Sequence, residues 1–150
     1  MVEVKKVKDE KNLNTVMKFN DELDIAMTPY LPEFLADYKH PAAKADDPYW
    51  HEILEGNKAV SALAYLDNNP IGMIIIKFND KIAIIESLFV IDEYRKQGIG
   101  KKLLEFANSE AKERECGVMF INVLIENVKA KKLYKELGFN DFRTTLVKKI

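Results

Sequence analysis

Residues 84–104, Ile-Ile-Glu-Ser-Leu-Phe-Val-Ile-Asp-Glu-Tyr-Arg-Lys-Gln-Gly-Ile-Gly-Lys-Lys-Leu-Leu, constrain this chain more than any other stretch. An apolar run of strand length enters a short polar turn, and Arg95-Lys96-Gln97-Gly98-Ile99-Gly100 then opens an amphipathic helix. Backbone N–H groups at a helix start lack intrahelical acceptors and carry the positive end of the helix dipole. Two glycines there remove the Cβ atoms that would hold an anion off, and Arg95, Lys96, Lys101 and Lys102 add positive charge. The segment reads as a cradle for a pyrophosphate.

Spacing narrows the kind of cradle. A Walker A loop needs Gly-x-x-x-x-Gly-Lys-Ser/Thr, but position 95 is Arg and position 102 is Lys, so no hydroxyl is placed to hold magnesium. That disfavours a nucleotide hydrolase. A dinucleotide fingerprint needs a third small residue, and the matching position after Gly98-x-Gly100 is Leu103. What remains, Arg-x-x-Gly-x-Gly behind a strand, resembles the GNAT acyl-CoA N-acyltransferase superfamily. Downstream, Asn127, Ala130, Leu133-Tyr134 and Leu137-Gly138-Phe139 resemble that family's second cofactor-side helix. The resemblance covers residues 60–143 well and the first 55 poorly.

A chain of 150 residues fits one domain. It can bury about two-thirds of its unfolded surface, so it needs neither disulfide nor metal for stability. The single cysteine, Cys116, has no internal partner, which suits a reducing compartment. Acidic residues interrupt the first 25 positions and argue against a secretory signal; no apolar run is long enough to span a membrane. The expectation is a cytoplasmic protein. Residues 1–70 hold 8 Lys/Arg against 13 Asp/Glu, and residues 71–150 hold 15 against 11. The basic half suits a polyanionic ligand and the acidic half a cationic amine, although ordinary solvated surface explains the same split. Neither half has the basic, aromatic-studded character of a nucleic-acid binder.

Along the chain, Val2–Val7 alternates as a half-buried strand, and Asn12 or Asn14 can cap a helix carrying Val16, Met17 and Leu23 before Pro29. A short helix is expected at Pro32–Tyr38 and a loop from His40 to Trp50. Ala59–Leu66, Ile71–Phe78 and Ile82–Val90, separated by turn sequences, form an antiparallel meander. The helix from Gly98 to about residue 115 buries Ile99, Leu103, Phe106 or Ala107, and Ala111, with Gly117 as its C-terminal cap. Val118–Ile125 is a parallel strand, Asn127 caps a last helix ended by Gly138, and Phe142–Val147 can close the sheet. The fold class is α+β: a mixed, mostly antiparallel sheet of 6–7 strands with helices on both faces, the fold the resemblance also implies.

The resemblance implies acetyl-CoA as cosubstrate and no metal, with residues 1–57 as a variable acceptor-side part and 58–150 as the acetyl-CoA-binding core. By position, the cofactor would meet Leu88, Phe89, Val90, Arg95, Lys96, Gln97, Gly98, Ile99, Gly100, Lys101, Asn127, Lys129 and Tyr134. The pantetheine arm would pair with the main chain of Leu88 and Val90, and Asn127 would hydrogen-bond it while also capping its helix. Tyr134 stands where the family's general acid stands. A phenol with a pKa near ~10 suits reprotonation of a thiolate whose acid lies near ~8.5. Its place on an apolar stripe also fits a plain core residue.

Glu86, the lone charge in its strand, is a candidate base bordering a cleft, on the side of Leu88 and Val90 by alternation. A salt bridge to a helix lysine fits equally, and the resemblance implies that a water chain can serve as the base instead. The family's ribosomal-protein acetyltransferases can place a glutamate where this chain has Asn122. His40 and His51 have no metal-site spacing. Tyr30, Tyr38, Tyr49 and Trp50 could line an acceptor pocket or pack on the sheet, and Cys116 reads as an inert thiol. The function implied is direct acetyl transfer to a primary amine of a small molecule or peptide, without an acyl-enzyme. The alternative is a non-catalytic acyl-CoA-binding sensor or partner module. No nucleic acid or membrane partner is expected, and exposed sheet edges allow a homodimer.

Overall fold

The computed structural model describes residues 1–38 and 47–150, without the side chains of 36–38. Of these, 1–26 with 47–122 form one compact unit, and 27–38 with 123–150 another.

The first unit begins with β1 (Val2–Lys6) and α1 (Glu10–Met27), which crosses the unit boundary at its last residue. Asp9 caps α1, not Asn12 or Asn14: its carboxylate accepts from Asn12 N at 2.8 Å and Asn12 Nδ2 at 3.0 Å. An aspartate one residue before the helix satisfies an orphan amide that an asparagine inside the first turn cannot. A helix that the loop expectation missed, α2 (Pro48–Glu55), follows the undescribed stretch. Its signals were local: Asp47 accepts from Tyr49 N at 3.0 Å, Pro48 starts the helix, and Gly56 ends it at φ +74°.

Strands β2 (Ala59–Leu66), β3 (Asn69–Asn79) and β4 (Ile82–Val90) make the expected meander. Asp67 and Asn68 both take positive φ, as a two-residue hairpin turn requires. Next come α3 (Ile99–Glu113) and β5 (Val118–Ile121). Glu115 at φ +57°, rather than Gly117, is the left-handed residue that follows α3, and Cys116 N bonds back to Ala111 O at 2.9 Å. The sheet order is β1-β2-β3-β4-β5, antiparallel except for β4 with β5.

Five strands, not 6–7, make the sheet of the described residues. Residues 142–147 are exposed and lie in no strand, so strand propensity there finds no ladder to join. The fifth strand is also shorter than expected, ending at Ile121 rather than Ile125. β4 carries a register shift opposite Ile75/Ile76, leaving Glu86 as the extra residue of a bulge, and pairing with β5 ends at Ile85 opposite Ile121. A bulge bends its strand and raises its twist, which accounts for the parting of the two.

Cross-strand partners define the two faces. Leu63, Met73 and Phe89 share one face with α1 and α2, whose Leu13, Val16, Phe19, Trp50 and Ile53 are buried against it. Gly72 lies on the other face, toward Leu103 of α3. On α3 the buried set is Ile99, Leu103, Leu104, Ala107, Glu110 and Ala111; Phe106 is only half-buried.

Glu110, 8% exposed, is held by Lys6 Nζ at 2.6 Å and Arg114 Nε at 3.6 Å. Arg114 also donates to the carbonyls of Asn57 at 2.8 Å and Gly56 at 2.6 Å, and lies over the Phe78 ring. Removing one member of a buried pair strands the other, but Lys6, 33% exposed at its side chain, can turn to water. Glu110→Ala should therefore cost about 2 kcal/mol and lower Tm by roughly 4–8 °C. A thermal melt at the wild-type midpoint would show that the network does not stabilise the fold.

The second unit contains 3₁₀ turns at Thr28–Tyr30 and Glu33–Tyr38 and the helix α4 (Val128–Glu136). Asn127 caps α4 as expected, its Oδ1 accepting from Ala130 N at 3.4 Å, and Gly138 follows the helix at φ +97°.

Candidate active site

After β4 the chain makes a 3₁₀ turn at Asp92–Tyr94, then places Lys96 at φ +60° and Gly98 at φ +78° before α3 begins. Lys102 N is the first amide of α3 to reach back, to Gly98 O at 3.1 Å. The amides before it have no acceptor within the helix. Ile99 is buried and anchors this end of α3, while Lys96, Gln97, Gly98, Lys101 and Lys102 are exposed. A Cβ built on Gly98 would meet nothing within 4 Å, so the approach to these amides is open. The result is an open, positively charged helix start.

The adjoining edge of β4 is open in a second way. Ile91 N bonds to Ile71 O at 2.9 Å, which sets the alternation along the antiparallel pair. Phe89 then turns its main chain toward β3, whereas Leu88 and Val90 turn theirs toward the β5 side. No strand pairs with them there, because β5 stops opposite Ile85. Among the described residues, the Val90 N–H and both polar groups of Leu88 thus face this edge without a strand partner, beside the helix start. The Phe89 ring packs on Phe19 at 5.4 Å, so neither its side chain nor its main chain faces this edge. Arg95 spans turn and edge: its Nε donates to Val90 O at 3.0 Å and its Nη1 meets Asp92 Oδ1 at 2.8 Å.

Glu86 is exposed and makes no ion pair among the described residues, so the lysine salt bridge is absent. As the bulge residue it does not follow the alternation that put it beside Leu88 and Val90. Its charge instead reaches Tyr49 of α2, whose phenol is raised by burial first, then by Glu86, Glu52 and Asp47.

In the second unit, Asn127 Nδ2 lies 3.8 Å from Met27 Sδ. Lys129 is exposed and Tyr134 half-buried, its ring edge-on to Phe139 at 6.1 Å. Burial raises the Tyr134 phenol above its ordinary value. Lys131 and Lys135 pair with Asp141 at 3.2 and 3.1 Å.

The aromatic set divides. Trp50 is core, Tyr49 lies under Lys77 Nζ at 4.6 Å, and Tyr30 is half-buried. The Tyr38 side chain and His40 fall outside the described residues, and His51 is exposed. Among the described residues no three His, Cys, Asp or Glu side chains group as metal ligands, and Cys116 is free and half-buried. No described helix is long and apolar enough to cross a membrane.

Comparison with known proteins gives this geometry a context. The model of the acetyltransferase (GNAT) family matches residues 24–139. An uncharacterized N-acetyltransferase of Archaeoglobus fulgidus is 29% identical over 123 residues, spanning 76% of this chain and 84% of that protein. Streptothricin acetyltransferase A of Bacillus subtilis is 41% identical over 76 residues, 49% of this chain and 44% of the enzyme. Among solved structures, an aminoglycoside N-acetyltransferase in complex with CoA has a TM-score of 0.76 at 18% identity, covering 100% of this chain and 95% of that one. That last likeness is one of fold. The family match takes in most of the chain, from the end of α1 through α4, and on that extent the chain belongs to the acetyltransferase (GNAT) family of N-acetyltransferases.

Proposed function

We propose that this chain transfers an acetyl group from acetyl-CoA directly to a primary amine of a small molecule or peptide. One observation carries the reading: an open, glycine-started helix N-terminus stands beside an end of β4 where the Leu88 peptide groups and the Val90 N–H have no strand partner among the described residues. The first fits a pyrophosphate and the second fits the amides of a pantetheine arm, which can pair as a strand would. Residues 58–150 would hold this cosubstrate and residues 1–57 shape the acceptor side.

The cosubstrate supplies a thioester-activated acetyl group. In the balanced exchange a C–N bond forms, the C–S bond breaks, the amine loses a proton and the sulfur gains one. An alkyl ammonium has a pKa near ~10.4, so a base must take that proton, and exposed Glu86 or water fits the task. We assign the returning proton to Tyr134. Burial raises its phenol above the ordinary range, so this acid stays protonated through neutral pH. Asn127, Lys129, the amides from 98 to 101 and the lysines Lys96 and Lys101 complete the proposed cosubstrate contacts.

Release of free CoA thiol from acetyl-CoA in the presence of a panel of amines tests the activity. Binding of acetyl-CoA with no thiol release across the panel would favour a sensor module. Tyr134→Phe should lower kcat by about 10²-fold or more while acetyl-CoA affinity holds. Unchanged turnover would remove the assigned acid.

A further inference from the structure

Arg95 belongs to the glycine motif, and its charge suggests a phosphate contact, but its side chain is already committed. Nε donates to Val90 O at 3.0 Å, Nη1 meets Asp92 Oδ1 at 2.8 Å, and the guanidinium carbon sits 6.0 Å from the centre of the Phe89 ring. The Arg95 amide itself bonds to Asp92 O at 3.2 Å, and Tyr94 N bonds to Ile91 O at 2.9 Å. Side chain and main chain together brace the whole turn from β4 to the start of α3.

We infer that Arg95 is a positioning residue, a strut that holds the Val90 peptide in register with the helix start rather than a direct phosphate ligand. The inference rests on the acetyl-CoA reading, because a ligand that spans both features is what makes their alignment matter. A planar guanidinium can aim Nε at a carbonyl and Nη1 at a carboxylate at once, whereas the single ammonium of lysine cannot reproduce that fork. With the Val90 carbonyl occupied by Arg95, the edge offers a strand-like partner the Val90 N–H and both polar groups of Leu88.

Two ligands separate a strut from a phosphate contact: acetyl-CoA, and adenosine 3′-phosphate 5′-diphosphate, which keeps the pyrophosphate but lacks the pantetheine arm. The variants are Arg95→Lys, which keeps the charge, and Asp92→Asn, which frees the guanidinium at a position 90% exposed at its side chain and so tolerant of change. Isothermal titration should show each variant weakening acetyl-CoA by about tenfold and leaving the diphosphate within about twofold. Full rescue by lysine, tighter acetyl-CoA binding in Asp92→Asn, or equal losses for both ligands would make Arg95 a phosphate contact and overturn the strut. A wild-type chain that binds the diphosphate but not acetyl-CoA would instead sink the acetyl-CoA reading itself.

Discussion

Gly98→Asp is expected to fold and to lose acetyl-CoA, with Kd raised by about 100-fold or more. Gly98 sits at φ +78° immediately before α3, and an added Cβ meets no atom within 4 Å, so packing does not oppose the change. The left-handed backbone costs an L-residue about 1–2 kcal/mol, and aspartate is among the residues that tolerate it best. What does change is charge: a carboxylate would stand at the mouth of the cradle and repel a diphosphate. Two like charges about 4 Å apart repel by roughly 4 kcal/mol near a protein surface, and solvent reduces that at an exposed site. Gly98→Ala carries the same backbone strain without the charge and serves as the control, with a much smaller loss. Titration calorimetry on the two variants decides. Equal affinities for aspartate and wild type would mean that these amides do not hold the pyrophosphate.

Gly72→Ala should damage the fold first and the ligand edge through it. An added Cβ would lie 2.7 Å from Phe89 O, and 3.4 Å from both Leu103 Cδ1 and Val90 Cγ2. A side-chain tip could yield, but the Phe89 carbonyl belongs to a residue paired with Met73 inside the sheet. Relief therefore requires backbone movement in β3 or β4, which places the cost at about 3 kcal/mol and the fall in Tm near 6–12 °C. Chemical denaturation should move the midpoint without changing the slope. A midpoint within error of wild type would show that the strands can separate at this point at little cost. Because the strain falls on Phe89 and Val90, acetyl-CoA affinity of the folded fraction should drop as well.

How much of this was legible beforehand depends on how local each feature is. Ala59–Leu66 and Ile82–Val90 match β2 and β4 end to end, because apolar runs bounded by Asp-Asn turns need no distant information. Asn127 and Gly138 bound α4 for the same reason, and the glycine motif marks the start of α3 through residues next to one another. The helix over Pro48–Glu55 carried equally local signals in Asp47, Pro48 and Gly56, and a loop reading passed over them.

Other features depend on residues far apart in the chain. The bulge at Glu86 exists only in register with Ile75 and Ile76, and it moves that carboxylate off the face that alternation assigned. β5 stops at Ile121 although apolar sequence continues, and residues 142–147 have strand-like composition without a strand. A helix start leaves its first amides unpaired and is marked by a few neighbouring residues, so the sequence by itself determined the cradle and the family pattern around it. A strand's end, a bulge and the aim of the Arg95 guanidinium are fixed by partners supplied across the sheet or turn. Only the tertiary structure could decide that the edge beside the cradle stays open and that Arg95 braces it, because pairing energy belongs to two segments at once.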